Sequence, residues 1–297
     1  MTRLDLGRLG VWGHLDSLAA PDAIAYAQRA EALGYGTLWV PETVGREPIA
    51  LLSLLAGATR AINLGTSIVN IWGRDAQAAR MAALTLAEAS NGRFVLGLGV
   101  SHPHLATKLR GHHFERPLSR MREYLAAYRA AVYHGPLADG ADEPLVLIAA
   151  LRERMTDLAA TDADGALPYL VTPERVGWMR ARLDAAARDG HATLGVTLPA
   201  VIGRPGDRVA ARAYLKPYLR TPTYQASWEL QGFEASDWEP PGSDRLVDAM
   251  VSIGSAELIR DRIGLMLAAG ADHVAIIPLA PDGTTEHGAT LEQLAQG

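Results

Sequence analysis

The amino-acid sequence of 297 residues contains no cysteine. This absence excludes disulfide bonds, thiol nucleophiles, iron–sulfur clusters and zinc sites that are built on thiolates. A function that needs a cysteine ligand or a cysteine nucleophile is therefore not expected anywhere in the chain.

An excess of basic residues and long apolar runs are missing as well. The formal net charge is -5 and the pI is near 6.0, so nucleic acid is not an expected partner. No apolar run approaches the roughly 18 residues of a membrane span. The first ten residues, MTRLDLGRLG, lack the continuous apolar segment of a signal peptide. We therefore expect a cytoplasmic protein that does not bind membranes.

The sequence contains a weak internal repeat. An alanine-rich helix ends at glycine and a short β-branched strand follows, as in EALGYGTLWVPE (31–42) and LAAGADHVAIIP (267–278), and more loosely in LAATDADGALPYLV (158–171). The glycine in each copy is typical of the left-handed residue that ends a helix. The pattern predicts alternating helices and strands.

Eight strands are predicted in this way. They lie near Arg8 to Gly13, Thr37 to Val40, Ile62 to Ile68, Phe94 to Leu98, Leu145 to Ile148, Ala163 to Leu167, Thr193 to Ile202 and His273 to Ile277. Eight strands that alternate with helices are typical of a (β/α)8 TIM barrel in the α/β class, which suits this length. We predict a single barrel domain over residues 1–297.

The segment 214–242 is richer in aromatic residues and proline than its surroundings. We interpret it as an insertion after strand seven, which lies over the barrel mouth or at a subunit interface. Trp228, Phe233 and Trp238 in this segment are expected to line a substrate or to bury an interface.

The stretch GRFVLGLGVSHPH (92–104) contains a Gly-x-Gly pair at Gly97 and Gly99. A dinucleotide-binding fingerprint needs a third glycine three residues later, which is absent here, and Pro103 interrupts the turn. The two glycines either let backbone approach a ring or phosphate, or relieve crowding inside the barrel. The residues alone leave both interpretations open.

Several motifs together resemble a known family. They are ALGYGTLWVPETVGREP, INLGTSIVNIWGRDA, AALTLAEA followed by SNGRFVLGLGVSH, MREYLAAY and GSDRLVDAM, in this order along nearly the whole chain. This combination resembles the luciferase-like monooxygenase superfamily, and in particular its coenzyme F420-dependent oxidoreductases. The resemblance implies a bacterial-luciferase-like barrel.

The resemblance also implies where a cofactor would bind. The flavin or deazaflavin ring would lie across the barrel mouth against a cis peptide bond, for which Ser67–Ile68 is the matching pair, with Asn70 close by. Gly99, Val100 and Ser101 would face the cofactor's side chain. The turn Ala149, Ala150, Leu151 and Arg152 would place helix N-terminal amides near its phosphate, where Arg152 or Lys108 adds charge or remains a solvated surface residue.

Hydride transfer to or from a small organic substrate needs a proton donor or base at the carboxyl ends of the strands. His102 is the first candidate because its ordinary pKa suits both directions of transfer, although a histidine that only packs is as good an interpretation. Glu42 is the second candidate, either as a base or as a hydrogen-bond partner of the backbone around the ring. Trp12, His14, Thr43 and Trp72 are expected to form pocket walls.

Two positions depart from the pattern of the sugar-phosphate dehydrogenases in this superfamily. Those enzymes carry Asp-His after strand two and Glu after strand four, whereas this chain has Glu42-Thr43 and His102. We therefore do not expect sugar-phosphate oxidation. The closely spaced His102, His104, His112 and His113 raise the question of zinc, but no typical ligand pattern accompanies them and no metal is expected.

Three functions remain as hypotheses. The first is an F420-dependent oxidoreductase, expected to be a homodimer. The second is an FMN-dependent luciferase-like monooxygenase that uses dioxygen. The third is a deazaflavin-binding protein without catalytic activity, which the presence of Thr43 instead of a histidine keeps open.

Overall fold

The structure is a computed structural model and describes residues 4–103, 105–137, 143–187 and 190–295. Its strands are β1 Leu9–Trp12, β2 Thr37–Val40, β3 Asn63–Thr66, β4 Val69–Asn70, β5 Phe94–Gly99, β6 Leu145–Ile148, β7 Gly165–Ala166, β8 Thr193–Ile202, β9 Ser252–Gly254 and β10 His273–Pro278.

Helices connect these strands. They are α1 Ala20–Ala32, α2 Pro48–Ala58, α3 Ala76–Ala89, α4 Pro117–Ala130, α5 Glu153–Asp162, α6 Pro173–Ala186, α7 Val209–Leu215, α8 Pro222–Glu229, α9 Asp244–Met250, α10 Ala256–Ala268 and α11 Ala289–Ala295. A single π-helical turn covers Leu105–Leu109 and a 3-10 turn covers Ala235–Asp237.

The strands close into a parallel barrel. Neighbours pair in the order β10, β1, β2, β3, β5, β6, β7 and β8, and β8 pairs back to β10. The predicted eight-stranded (β/α)8 TIM barrel is confirmed. All carboxyl ends of the barrel strands therefore lie at one rim, which we call the mouth, and the opposite end is the floor.

Two strands are shorter than predicted, and one further strand was not predicted. The strand expected over Ile62 to Ile68 stops at Thr66, and the chain resumes pairing with β5 only in β4. The strand expected over Ala163 to Leu167 is shortened to β7. The short strand β9, which was not predicted, pairs with the last residues of β8.

The recurring helix-to-strand junctions form as the sequence predicts. Gly34 and Gly270 follow α1 and α10 with φ of 82° and 108°, conformations that glycine adopts at little cost. Several helices begin with a side chain that accepts a backbone N–H, for example Asp75 from Ala78 and Thr172 from Arg175. Local signals thus fix where most of these elements start and stop.

Residues of the barrel strands point alternately outward to the helices and inward to the barrel interior. The interior accommodates Trp39 and His273 because glycines stand opposite them. A Cβ atom on Gly65 would lie 2.4 Å from the Trp39 ring, and one on Gly10 would lie 2.5 Å from the His273 ring. These glycines therefore make room for two large rings near the floor.

A second hydrophobic cluster forms where α7, α8 and α9 pack on the ends of β8 and β10. Trp228 is completely buried there and Phe233 is 6% exposed, because both pack against apolar residues of the same cluster. Trp228 therefore packs inside the chain's own core, whereas Phe233 packs there and also lines a cavity. Trp238 packs against the cluster and is only partly buried.

No helix within the described ranges is long and apolar enough to cross a membrane.

Candidate functional site

The carboxyl ends of β1, β3 and β5 meet at the Ser67–Ile68 peptide bond, which is cis as the resemblance implied. The indole N–H of Trp12 donates to the Ser67 carbonyl oxygen at 3.0 Å. The Ile68 side chain packs over Gly99, where a Cβ atom would lie 2.5 Å from Ile68 Cδ1. Trp12, Ser67, Ile68 and Gly99 are thus brought together at the mouth.

Packing explains both glycines of the Gly-x-Gly pair. A Cβ atom on Gly97 would lie 1.9 Å from the Thr66 carbonyl oxygen and 2.9 Å from the Leu167 side chain. Gly97 therefore relieves crowding between strands, whereas Gly99 makes room for Ile68 at the rim.

Glu42 follows β2 and is engaged by three donors. One carboxylate oxygen accepts the Asn70 backbone N–H at 2.7 Å and an N–H of Arg74 at 3.1 Å, and the other accepts from Arg110 at 2.7 Å. The Glu42 side chain is 7% exposed. Of its two expected roles, this geometry favours holding the backbone around the cis peptide over proton transfer.

Asn70 and Trp72 connect this region to the loop after β5. The Asn70 side-chain oxygen accepts the backbone N–H groups of Trp72 and Gly73, at 3.1 and 2.7 Å, and so closes a turn. The Trp72 indole N–H donates to the Val100 carbonyl oxygen at 2.8 Å. The side chain of Asn70 is therefore used inside the protein, and Trp72 fixes the position of Val100.

His14 and Thr43 meet at Asp16, a residue that the sequence alone did not single out. The Thr43 hydroxyl donates to the Asp16 carboxylate, the Arg46 backbone N–H donates to it at 3.0 Å, and His14 Nε2 lies 3.6 Å away. Burial raises the pKa of Asp16, but the hydrogen bonds from Thr43 and Arg46 and the nearby His14 outweigh it, so the pKa lies below its ordinary value.

The loop after β5 turns sharply at Ser101, which has a left-handed φ of 56°. His102 follows and is partly buried, with its ring centre 5.4 Å from that of Tyr224 in α8. Its carbonyl oxygen accepts the N–H groups of Leu105 and Ala106 at the start of the π-helical turn. The segment 214–242 therefore contacts the mouth directly at the first catalytic candidate.

Four tyrosines, Tyr169, Tyr214, Tyr218 and Tyr224, form what we call the tyrosine cluster. Their ring centres lie 5.2–5.9 Å apart in the contacting pairs. The hydroxyls of Tyr169 and Tyr214 are hydrogen-bonded to each other. Burial raises the pKa values of Tyr169, Tyr214 and Tyr224 well above the ordinary value.

Sequence reasoning missed the tyrosine cluster. One signal pointed to it, since Tyr169 comes three residues after β7, where barrel enzymes carry functional side chains. The other three residues lie in or next to the aromatic-rich segment, in which only the tryptophans and phenylalanine were considered.

The turn Ala149, Ala150, Leu151 and Arg152 leads into α5. The Ala149 N–H donates to the Leu98 carbonyl oxygen at 2.8 Å, so the turn lies beside the end of β5. No side chain caps the N-terminus of α5, and Arg152 is exposed there. The first N–H groups of this helix are therefore oriented as in helix N-termini that bind anions.

Arg175 in α6 contacts this turn. Its guanidinium donates to the Leu151 carbonyl oxygen at 2.7 Å and stacks on the Trp178 ring at 3.7 Å. Arg175 and Trp178 also line a cavity of about 700 Å³ that Phe233 and Arg245 help to enclose.

The histidine-rich loop forms no metal site in the described part of the chain, where no three potential ligands converge. His112 instead stacks near Trp72, with ring centres 6.4 Å apart. His104 lies outside the described residues.

Comparison with known proteins adds three findings. The family model of luciferase-like monooxygenases matches residues 3–273. A Mycobacterium tuberculosis protein with a provisional name, coenzyme F420-dependent oxidoreductase, is 28% identical over 90% of this chain and 88% of its own length. The coenzyme F420-dependent tetrahydromethanopterin reductase of Methanopyrus kandleri has a TM-score of 0.73 at 17% identity, with 97% of each chain covered.

A further solved structure holds a different cofactor. It is the oxygenating constituent of 3,6-diketocamphane monooxygenase, encoded on a plasmid of Pseudomonas putida, in complex with FMN, with a TM-score of 0.70, 15% identity and 97% and 96% of the two chains covered. The likeness to these two structures shows the shared barrel fold. Because the family model spans most of the sequence, the chain belongs to the luciferase-like monooxygenase family.

Proposed function

We propose that the protein is an oxidoreductase that exchanges a hydride between coenzyme F420 and a small organic substrate. The name of the Mycobacterium tuberculosis relative supports the choice of cofactor. The observation that carries the proposal is the uncapped N-terminus of α5, which lies at the same rim as the contact between Ile68 and Gly99. A phosphate and a flat ring need these two features side by side.

The residues at the rim fit such a cofactor. Ser67, Ile68 and Asn70 would face the ring, Gly99, Val100 and Ser101 its side chain, and the turn 149–152 its phosphate. The indole N–H groups of Trp12 and Trp72 donate to the carbonyl oxygens of Ser67 and Val100, and these hydrogen bonds fix the backbone at both positions. When bound, the deazaflavin supplies a ring carbon that gives or accepts a hydride.

His102 is the group we assign to proton transfer. Its imidazole lies at the mouth, and an imidazole can give or take the substrate's proton. Glu42 acts as a positioning residue, because both carboxylate oxygens already bind donors of the loop around the cis peptide. Trp12, His14, Thr43 and Trp72 border the substrate space in this proposal.

Cofactor titration tests the proposal. F420 and FMN are added separately to the purified protein, and binding is followed by cofactor fluorescence and by calorimetry. We expect F420 to bind at least tenfold more tightly than FMN. Preferential binding of FMN would instead support the dioxygen-using monooxygenase and overturn the proposal.

The assignment of His102 is tested with His102→Ala, with His113→Ala as a control at an exposed histidine of the same region. With reduced F420 and a panel of carbonyl and enone substrates, loss of the proton donor should lower kcat by about 100-fold. The affinity for F420 should not change in either variant. Unchanged turnover in His102→Ala would remove this residue from the mechanism, and wild-type binding of F420 without any turnover would support the non-catalytic alternative.

We also propose that the protein is a homodimer that pairs through α2 and α3. Helix α2 has no charged residue and packs beside α3, and Leu54 and Met81 on their outer faces are each 50% exposed. The charge-free helix α2 and these two exposed apolar side chains fit a second copy of the chain. Leu54→Glu should give monomers in sedimentation, whereas Leu265→Glu, at an equally exposed leucine of α10, should not. A dimer that persists in Leu54→Glu would contradict this interface.

A further inference from the structure

The tyrosine cluster contains a hydrogen-bond donor that the protein itself does not use. The hydroxyls of Tyr169 and Tyr214 form a short chain through one hydrogen bond. Each hydroxyl has one O–H group, so one O–H of the two remains available. Within the described residues, the structure shows no other hydrogen bond from these two hydroxyls to a protein acceptor. This hydroxyl chain can therefore donate to an oxygen that comes from outside the protein.

The cluster lies where a substrate of the mouth would be. Tyr169 follows β7, and the Tyr224 ring contacts His102 on the other side. Tyr169, Tyr214 and Tyr218 are each only partly buried. Trp12, which binds the Ser67 carbonyl, also packs against the same hydrophobic cluster. The tyrosines thus face the region above the barrel interior.

The surroundings of the cluster are uncharged. The electrostatic influences on Tyr169, Tyr214 and Tyr224 come from burial and then from other tyrosines, with no Lys, Arg, Asp or Glu of the described chain among them. A charged ligand group would lose its hydration here without gaining a counter-charge. An apolar or aromatic body, in contrast, would pack well against four tyrosine rings.

We propose that the tyrosine cluster recognises the substrate, a neutral carbonyl compound with an apolar or aromatic body, and that the spare O–H of the Tyr169–Tyr214 hydroxyl chain donates to its carbonyl oxygen. This inference rests on the proposed oxidoreductase function and names its substrate class. His102 stands at the edge of the cluster, next to Tyr224. Phosphorylated and carboxylated compounds are not expected as substrates, because no Lys or Arg of the described residues is among the electrostatic influences on Tyr169, Tyr214 and Tyr224.

The protonation state of the cluster supports this role. Because burial raises the pKa values of Tyr169, Tyr214 and Tyr224, their hydroxyls stay neutral and keep their donors throughout the physiological pH range. The cluster therefore offers the same hydrogen bond at every working pH.

Three probes of matched shape test the proposal. Acetophenone has a carbonyl oxygen, α-methylstyrene replaces that oxygen by carbon, and benzoate carries a charge. Binding is measured by calorimetry and by ligand-observed NMR, with and without F420. We expect acetophenone to bind at least tenfold more tightly than benzoate, and more tightly than α-methylstyrene. Benzoate binding equal to that of acetophenone would overturn the proposal.

Two variants then separate recognition from packing. Tyr214→Phe and Tyr169→Phe each keep the ring and break the hydroxyl chain, and should weaken acetophenone binding about tenfold. Binding of α-methylstyrene should not change, since it does not use the hydroxyls. Tyr133→Phe is the control, because its hydroxyl donates to the Pro136 carbonyl beside α4, away from the cluster.

The outcomes distinguish this inference from the proposed function. If both cluster variants bind acetophenone as well as the wild type, the inference is wrong even where F420 binds tightly. If F420 fails to bind while acetophenone recognition is lost in both variants, the proposed cofactor is wrong and the recognition site stands. Should one variant fail to fold, as judged by its thermal unfolding, the other removes the same link of the chain.

Discussion

The polar side chains at the floor of the barrel differ from those at the mouth in their burial and in their binding partners. At the floor, His273 donates from Nδ1 to the Gly7 carbonyl oxygen at 2.6 Å and accepts at Nε2 from the Trp39 indole at 2.9 Å. Thr37 donates to the Leu6 carbonyl oxygen at 2.7 Å. These groups are fully buried and bind one another, the N-terminal segment and the side chain of Asn63 in β3.

At the mouth, polar groups gather around charges and hydroxyls close to the surface. Glu42 binds two arginines and a backbone amide, Asp16 binds Thr43 and Arg46, and the tyrosine cluster in our proposal keeps a donor for an outside oxygen. The floor serves stability, because every donor and acceptor of its two rings is used. In the proposed function the mouth serves binding, because its hydrogen bonds fix the positions of the loops at the carboxyl ends of the strands.

The largest effect on the free energy of unfolding should come from removing the charge of Glu42. Glu42→Gln keeps the shape of the side chain but leaves Arg74 and Arg110 without their shared carboxylate. Loss of one partner of a buried ion pair should lower the free energy of unfolding by about 4 kcal/mol, measured by urea denaturation.

Glu47→Gln is the matched control for Glu42→Gln. Its carboxylate binds the same Arg74 but is 50% exposed, so its loss should cost less than about 1 kcal/mol. Equal destabilisation by the two variants would show that the mouth network does not depend on the buried position of Glu42.

His273 at the floor should make the free energy of unfolding decrease in acid. Burial lowers the pKa of His273 from 6.5 to about 4, so between these values the unfolded chain binds a proton that the folded chain does not. The free energy of unfolding should therefore fall as the pH decreases through this window, by about 3 kcal/mol in total. Urea denaturation between pH 7 and pH 4 measures it.

His273→Asn should remove this contribution to the pH dependence, although it also lowers stability at neutral pH. The exposed His134 provides the control, since His134→Asn should keep the wild-type slope. An unchanged slope in His273→Asn would mean that the floor histidine is not held neutral by burial.

The sequence predicted the barrel because its signals are local. Glycines such as Gly34 end a helix at the residue where they stand, and β-branched runs such as Thr37 to Val40 follow directly. The strand predicted over Ala163 to Leu167 is longer than β7 because only two residues of this run pair with both neighbouring strands. The unpredicted β9 depends on the end of β8, far away in the sequence.

The site was predictable only in part, since its contacts join distant residues. The resemblance indicated the Ser67–Ile68 pair, and positions after strands indicated His102 and Glu42. The partners of these residues follow from the closed barrel alone. Arg110 lies 68 positions from Glu42, and Tyr214 lies 45 positions from Tyr169, with no local pattern that connects them.

The smallest effect on stability is expected for a substitution of Thr43. It tests whether this side chain belongs to the hydrogen-bond network of the mouth or to the pocket wall. Thr43 was expected to be a pocket wall, yet its hydroxyl donates to Asp16. Thr43→Val keeps the shape and removes the donor, so the pKa of Asp16 should rise towards its ordinary value and the free energy of unfolding at pH 7 should fall by about 1 kcal/mol, a value reduced by partial solvent access. Because the pKa of Asp16 is lowered on folding, its contribution to stability is present at neutral pH and is lost as the pH falls through that pKa.

An NMR titration of the Asp16 carboxyl in Thr43→Val and in Thr43→Ser, which retains the hydroxyl, measures this shift. If the serine variant titrates like the valine variant, the methyl group of Thr43 rather than its hydroxyl sets the position of Asp16, and the side chain belongs to the pocket wall after all.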